Sequence, residues 1–555
     1  MPLFLVFLAI GILFGATNLY NRYKHEVERK PIYTILLVMT WIGCFFWIWE
    51  LRPAYHGFTI DFILGFFMGL LGLILIVLGS ALYVLFTTRL EILRKTTAVF
   101  IILLGCVWFL FGIINGATGA FQKALVYKDI KDSIVYISEL PESSPVQRMI
   151  PRQIAINKTR NMSTISDAMI GQMHYIIEED GIWMSGGFNP VFWRSFRGKV
   201  RNVAFIKVSE SGSEPTIKET NFVFGPNLRW ADNVFWRLQK RSYWSMYSDP
   251  IYVRDSQNPD NIIMLVPTRR PAFSFYSIFP VWRPVFTGVW KIYPDGRMVW
   301  VPKDQITTDP DTRRQRVFPE EMARLYGLSI AFSHGVVNAF FTHKDQAVLQ
   351  DLKGERNRLP YLIEINNREL VWFVFLKPYG YAARGLKSML FIDAVTGNVR
   401  QWNADPNTTL IGPQRAIMAV KENYQFRNVT WYSRTEDTTV EGLIIVEALP
   451  VFINKSLYWK LTITGSGMNV VTQIVFVDAS DPENVVVFNN SDSAYKFIAT
   501  GISETPERME AMLPSQSQVS DIISKLESIP EYMLSDFDRE ILNILRSLQL
   551  YLMRK

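Results

Sequence analysis

The sequence predicts a membrane protein. Four N-terminal transmembrane helices precede a large α+β, mainly antiparallel-sheet region with internal repeats and a helical C-terminus. Three observations predict this class. Apolar residues make up about 64% of the first 120 residues, against 49% of the whole 555-residue chain. Short β-rich runs with turn residues between them fill the middle of the chain. Two stretches, 360–403 and 450–488, repeat one another. This composition excludes a disordered or collagen-like chain.

Apolar runs lie at 3–20, 31–49, 60–86 and 97–117. Each is long enough to cross a hydrocarbon core of about 30 Å as a helix. A helix satisfies its own backbone groups, which lipid cannot do. Only Met1-Pro2 precedes the first run, so it lacks the basic segment of a cleaved signal peptide. The first loop holds Arg22, Lys24, Arg29 and Lys30, and the third holds Arg89, Arg94 and Lys95. The second holds only Arg52. Seven basic residues against one place loops one and three in the cytoplasm. Residues 121–555 are then extracytoplasmic, at a plasma or inner membrane. Trp47, Trp49, Tyr55 and Trp108 suit the interface. Glu50 and Asp61 fall at run ends, and the run interiors carry no charge, which argues against a channel or pump.

Both cysteines, Cys44 and Cys106, fall in the predicted spans. The outer region therefore has no disulfide and must rest on its own core. Cysteine-ligated metals and a thiol nucleophile are excluded there. Asn157, Asn161, Asn407, Asn428, Asn454 and Asn489 open Asn-X-Ser/Thr triplets, which matter only in a eukaryotic secretory route.

The outer region divides into an aromatic β-rich domain (121–350), repeated α+β units (351–505) and C-terminal amphipathic helices (506–555). Strands are expected at Val203–Val208, Ile262–Val266, Leu370–Leu376, Met389–Asp393 and Ile474–Val477. Tyr293-Pro294-Asp295-Gly296 reads as the tip of a hairpin. Pro319–Leu328 and Pro413–Tyr424 begin like helices, and Ile150–Met162 is a third. In the repeat, Val371-Trp372-Phe373-Val374 leads to Phe391-Ile392-Asp393-Ala394. Tyr458-Trp459-Lys460-Leu461 leads to Phe476-Val477-Asp478-Ala479. A fainter version spans 250–301. Each tryptophan is expected in the core, and each Asp as a turn cap; paired catalytic carboxylates are the sharper alternative.

The stretch Phe391-Ile392-Asp393-Ala394-Val395-Thr396-Gly397-Asn398-Val399 resembles the closing hairpin of the PepSY family of extracytoplasmic domains. The second copy, Asp478-Ala479-Ser480-Asp481-Pro482, lacks Thr-Gly. The resemblance implies a binding or regulatory module with a helix ahead of its sheet, and brings no catalytic residues. Near the end, Val519, Ile522, Ile523, Leu526 and Ile529, then Phe537, Ile541, Ile544, Leu545, Leu548 and Leu552, form helical stripes for docking or pairing.

No zinc-protease, Walker, dinucleotide or nucleophile-elbow motif occurs. His25, His56, His174, His334 and His343 form no ligand spacing. Asp255…Asp260 and Asp478…Asp481 read as turns rather than calcium loops. No catalytic residue, cofactor or metal is expected. The informative clusters are basic and aromatic. They comprise Trp193, Arg194 and Arg197; Trp236, Arg237, Arg241 and Trp244; and Trp282 with Arg283. Core packing, a subunit interface and lipid or cell-wall contact compete as readings. With 50 basic and 46 acidic residues beyond residue 120, the outer region is no nucleic-acid reader. The expected function is envelope assembly, scaffolding or binding, with the bilayer and protein partners or further copies of the chain as contacts. An envelope enzyme or peptidase regulator is the alternative, and a transport subunit the third.

Overall fold

The computed structural model describes residues 50–501 and 523–524, except 65, 86–90, 146, 166, 192–194, 196–197, 278, 350–358, 367, 381–384, 406–408, 435–438, 466 and 468–469. The runs at 3–20 and 31–49 and nearly all of the C-terminal stripes lie outside the described residues. Contacts divide the chain into residues 1–498 and 499–555.

The apolar run at 60–86 is not one uniform helix. It opens with a π-helical turn, Thr59–Leu64, and continues as α1, Phe67–Leu85. The run at 97–117 lies within α2, Glu91–Thr118. Four spans were expected. Among the described residues one stretch is long and apolar enough to cross a membrane, Thr96–Thr118, and Gly69–Ser80 is a shorter apolar one. Glycine sets the packing of α1 on α2. A Cβ at Gly72 would fall 2.6 Å from Gly105 O, and one at Gly105 would fall 2.7 Å from Gly72 O. Close backbone approach through small residues is how helices pack where lipid removes the hydrophobic drive.

Gly119 ends α2 in the left-handed region, at φ 61°. The Asn115 side chain then accepts the amides of Phe121 (3.1 Å) and Gln122 (3.3 Å), starting α3, Ala120–Ile130. Beyond it the chain is α+β, with almost wholly antiparallel pairing; Val135–Ile137 pairs in parallel.

Among the described residues, four units share one plan: a helix, then a four-stranded antiparallel meander. The first is α4 (Arg152–Met162) with β1 (His174–Glu178), β2 (Gly181–Pro190), β3 (Val200–Lys207) and β4 (Thr216–Phe222). The second is α5 (Val234–Arg241) with β5 (Ile251–Arg254), β6 (Ile262–Tyr276), β7 (Phe279–Ile292) and β8 (Met298–Pro302). The third is α6 (Glu320–Ser329) with β9 (Tyr361–Ile365), β10 (Glu369–Pro378), β11 (Ser388–Asp393) and β12 (Val399–Asn403). The fourth is α7 (Pro413–Glu422) with β13 (Leu443–Ile453), β14 (Ser456–Gly465), β15 (Val471–Asp478) and β16 (Val485–Phe488).

The same bonds tie helix to sheet. Phe318 N donates to Ala394 O, and Ile411 N to Ala479 O, both at 2.8 Å. Ala394 N reaches Leu370 O, and Ala479 N reaches Leu457 O. Trp372 Nε1 donates to Phe318 O (3.0 Å) and Trp459 Nε1 to Ile411 O (2.8 Å). The first unit uses Ile150 N to Val208 O and Val208 N to Ile182 O, with Met184 in the tryptophan's place. In the second unit, Val223 N reaches Pro294 O. Proline ahead of the helix recurs: Pro151 and Pro319 are N-caps, and Pro413 is at the first turn. Their fixed φ pre-organises the start.

The third sheet is central, with both faces covered. Leu370, Trp372, Val374 and Leu376 enter one core, while Val371, Phe373 and Phe375 enter the other with Trp459 and Leu461. Burial on both faces explains why Leu370–Leu376 is apolar without alternation.

Candidate functional site: an aromatic hairpin tip and an arginine-walled cavity

Of the predicted cluster residues, Trp193, Arg194 and Arg197 lie outside the described residues. Trp236, Arg237 and Arg241 sit on α5, which Asn233 caps by accepting Trp236 N. Val234 and Leu238 turn α5 onto the core. The polar side of this segment meets residues 50–59, just ahead of α1. Arg52 Nη2 donates to Lys240 O (2.6 Å), and the Lys240 ammonium pairs with Glu50. His56 Nε2 donates to Ser245 O (3.0 Å), and the Tyr243 hydroxyl donates to Thr59 Oγ1 (2.8 Å). Arg237 stacks on Phe224 and donates to Ala231 O, while Arg241 lies over Trp290. Trp244 remains exposed beside Tyr243. Lys240, Tyr243 and Ser245 thus hold residues 50–59, while Arg237 and Arg241 pack on their own unit. Residues 50–59 offered no sequence signal as a partner of this segment.

Trp282 and Arg283 lie on β7. Arg283 pairs with Asp129 of α3, and Trp282 stands opposite Phe273 across the ladder. The β6–β7 hairpin is long, and its tip reaches the helix ends. Phe273 meets Phe67 at 4.9 Å between ring centres, and Phe279 meets Phe111 at 4.6 Å. Beside this contact Phe273 and Phe275 of β6 stay exposed, Phe275 at 62%. The hairpin tip thus sets aromatic rings against both helices.

A second feature was not read from the sequence. Where the first, third and fourth units meet, Arg148, Arg152, His174, Arg316, Glu320 and Glu447 wall a cavity of about 200 Å³. Arg148 pairs with buried Glu447 at 2.5 Å. Arg316 donates to His174 Nδ1, and Glu320 stands 3.9 Å from it. Burial, then Arg316 and Arg152, push His174 well below the usual imidazole range, so it is neutral. Burial, then the Arg152 charge, lowers Arg316 to about 10, which leaves it cationic at neutral pH; the Glu320 carboxylate works the other way. A signal existed: Arg148-Met149-Ile150-Pro151 and Arg316-Val317-Phe318-Pro319 each place arginine three residues before the helix-capping proline.

Asp393 Oδ1 accepts the amides of Val395 (2.7 Å) and Thr396 (2.8 Å). Asp478 Oδ1 accepts Ser480 N (2.8 Å). Both cap turns. Asp255 likewise accepts Gln257 N. Among the described residues, no group of three His, Cys, Asp or Glu could hold a metal. Comparison of the chain with family models, curated proteins and solved structures finds no match.

Proposed function

We propose that the protein is a membrane-anchored, non-enzymatic scaffold or binding component of a cell envelope. It holds its four helix-and-meander units outside the cytoplasm, where they meet protein partners or further copies of the chain. One observation carries this reading. The outward faces of α1 and α2 expose Ile74, Val77, Phe100 and Leu103, each about half or more open, while glycines close the seam between the helices. Such an apolar exterior suits lipid and is costly in water. The exposed Phe273 and Phe275 of the hairpin tip then sit at headgroup level, where amphipathic surfaces bury aromatic rings.

In this reading the runs at 3–20 and 31–49 supply two further spans. Residues 50–59 then lie on the same side as the outer region, in keeping with the contacts to Lys240, Tyr243 and Ser245. Asp393 and Asp478 each accept turn amides, the role of a structural cap.

Extraction of membranes at alkaline pH tests the anchor. The full chain is expected to stay in the pellet. Release into the supernatant would overturn the reading.

A further inference from the structure

We propose that the arginine-walled cavity binds a small anionic saccharide, its acidic group held by Arg148, Arg152 and Arg316. The site stands independently of the membrane reading.

The charge balance favours an anion. Three guanidiniums meet two carboxylates, and Glu447 is already engaged by Arg148. Glu320 is 39% exposed and 3.9 Å from Arg316. Arg152 donates to Gln172 Oε1 at 2.8 Å, and among the described residues no carboxylate pairs with it. His174 is neutral and adds no charge. Arg148 and Arg316 are 5% and 7% exposed, and the Nε of each is buried without a hydrogen-bond partner. A buried cation is costly until it is paired and its protons are used. A carboxylate or phosphate accepts from several guanidinium protons at once.

The backbone adds to this. The cavity lies at the start of α4, whose N-cap Pro151 has no side chain to cap the first amides. The helix dipole favours negative charge there.

The body of the ligand is read from the adjoining cavity of about 460 Å³, which shares His174. Gln153, Gln172, Asn189, Asn227 and Asp249 line it, with Tyr252 as an aromatic wall. Alternating amide donors and acceptors beside a ring suit a hydroxyl-rich body better than an apolar one.

The test is titration of the detergent-solubilised full chain with glucuronate, glucose 6-phosphate, glucose and inorganic phosphate, at constant ionic strength. Binding is followed by calorimetry and by the shift in Tm. At least one acidic sugar is expected to bind and raise Tm, with glucose inert. Glucuronate alone would mark a carboxylate site, and glucose 6-phosphate alone a phosphate site. Arg152 is partly exposed, so Arg152→Gln should keep the unliganded Tm and weaken binding about ten- to a hundredfold. Asn189→Ala should weaken the sugar and spare inorganic phosphate. No binding of either acidic sugar at millimolar concentration, or parent-like binding by Arg152→Gln, overturns the proposal. Equal affinity for inorganic phosphate and glucose 6-phosphate overturns the saccharide assignment.

Discussion

Lys460 shows what a single residue contributes to the outer core. It lies on β14 at 1% exposure, and its ammonium donates to Arg148 O. Burial lowers its pKa to about 7, against the partly offsetting attraction of Glu447. In the unfolded chain a lysine titrates near about 10.4. Between these values the unfolded state binds the extra proton, so stability rises as pH rises from about 7 to about 10. Urea unfolding of the parent at pH 7 and pH 9 should show that gain, and Lys460→Met should flatten it. Equal slopes would show that Lys460 is charged when folded. Reading such residues from sequence succeeds when the role is local. Asp393 and Asp478 are legible as turn caps because the amides that donate to them lie two or three residues on. Arg148 and Arg316 share only a weak signal, an arginine three residues before a proline, which does not tell a cavity wall from a surface charge until three units close around it.

At the scale of elements, the α1–α2 seam is the most sensitive joint. A side chain at Gly105 would collide with Gly72 O and with the backbone of Ile76. Gly105→Leu should therefore force the helices apart at a cost of about 1–3 kcal/mol. Phe100→Leu, on the exposed face, should cost little. Thermal unfolding in detergent compares them, and equal Tm values would contradict the seam. Helix starts were legible from their prolines, and the Tyr293–Gly296 turn from Asp295, whose Oδ1 accepts Arg297 N. The π-helical turn at Thr59–Leu64 was not legible, because apolar content is blind to backbone pitch. The first unit was also hidden. Met184 and Lys207-Val208 stand where the third and fourth units have tryptophan and Asp-Ala, so the shared bonds persist without the shared letters.

At the scale of the whole molecule, the sequence separates an apolar N-terminal part from a self-sufficient α+β part. Continuous apolar strands such as Leu370–Leu376 announce burial on both faces but not which cores they divide. What joins the two parts could not be read at all. It depends on Arg52, His56 and Thr59 meeting Lys240, Ser245 and Tyr243, across nearly two hundred residues of chain. The central claim is that this joint lies on the outer face of a membrane that α2 crosses. It is tested most directly by labelling intact cells with a membrane-impermeant maleimide, using single cysteines at Gly57, Thr88 and Lys455 in a chain lacking Cys44 and Cys106. Gly57→Cys and Lys455→Cys should label in intact cells, and Thr88→Cys only after permeabilisation. Labelling of Thr88→Cys alone in intact cells, or opposite behaviour of Gly57→Cys and Lys455→Cys, would contradict the account.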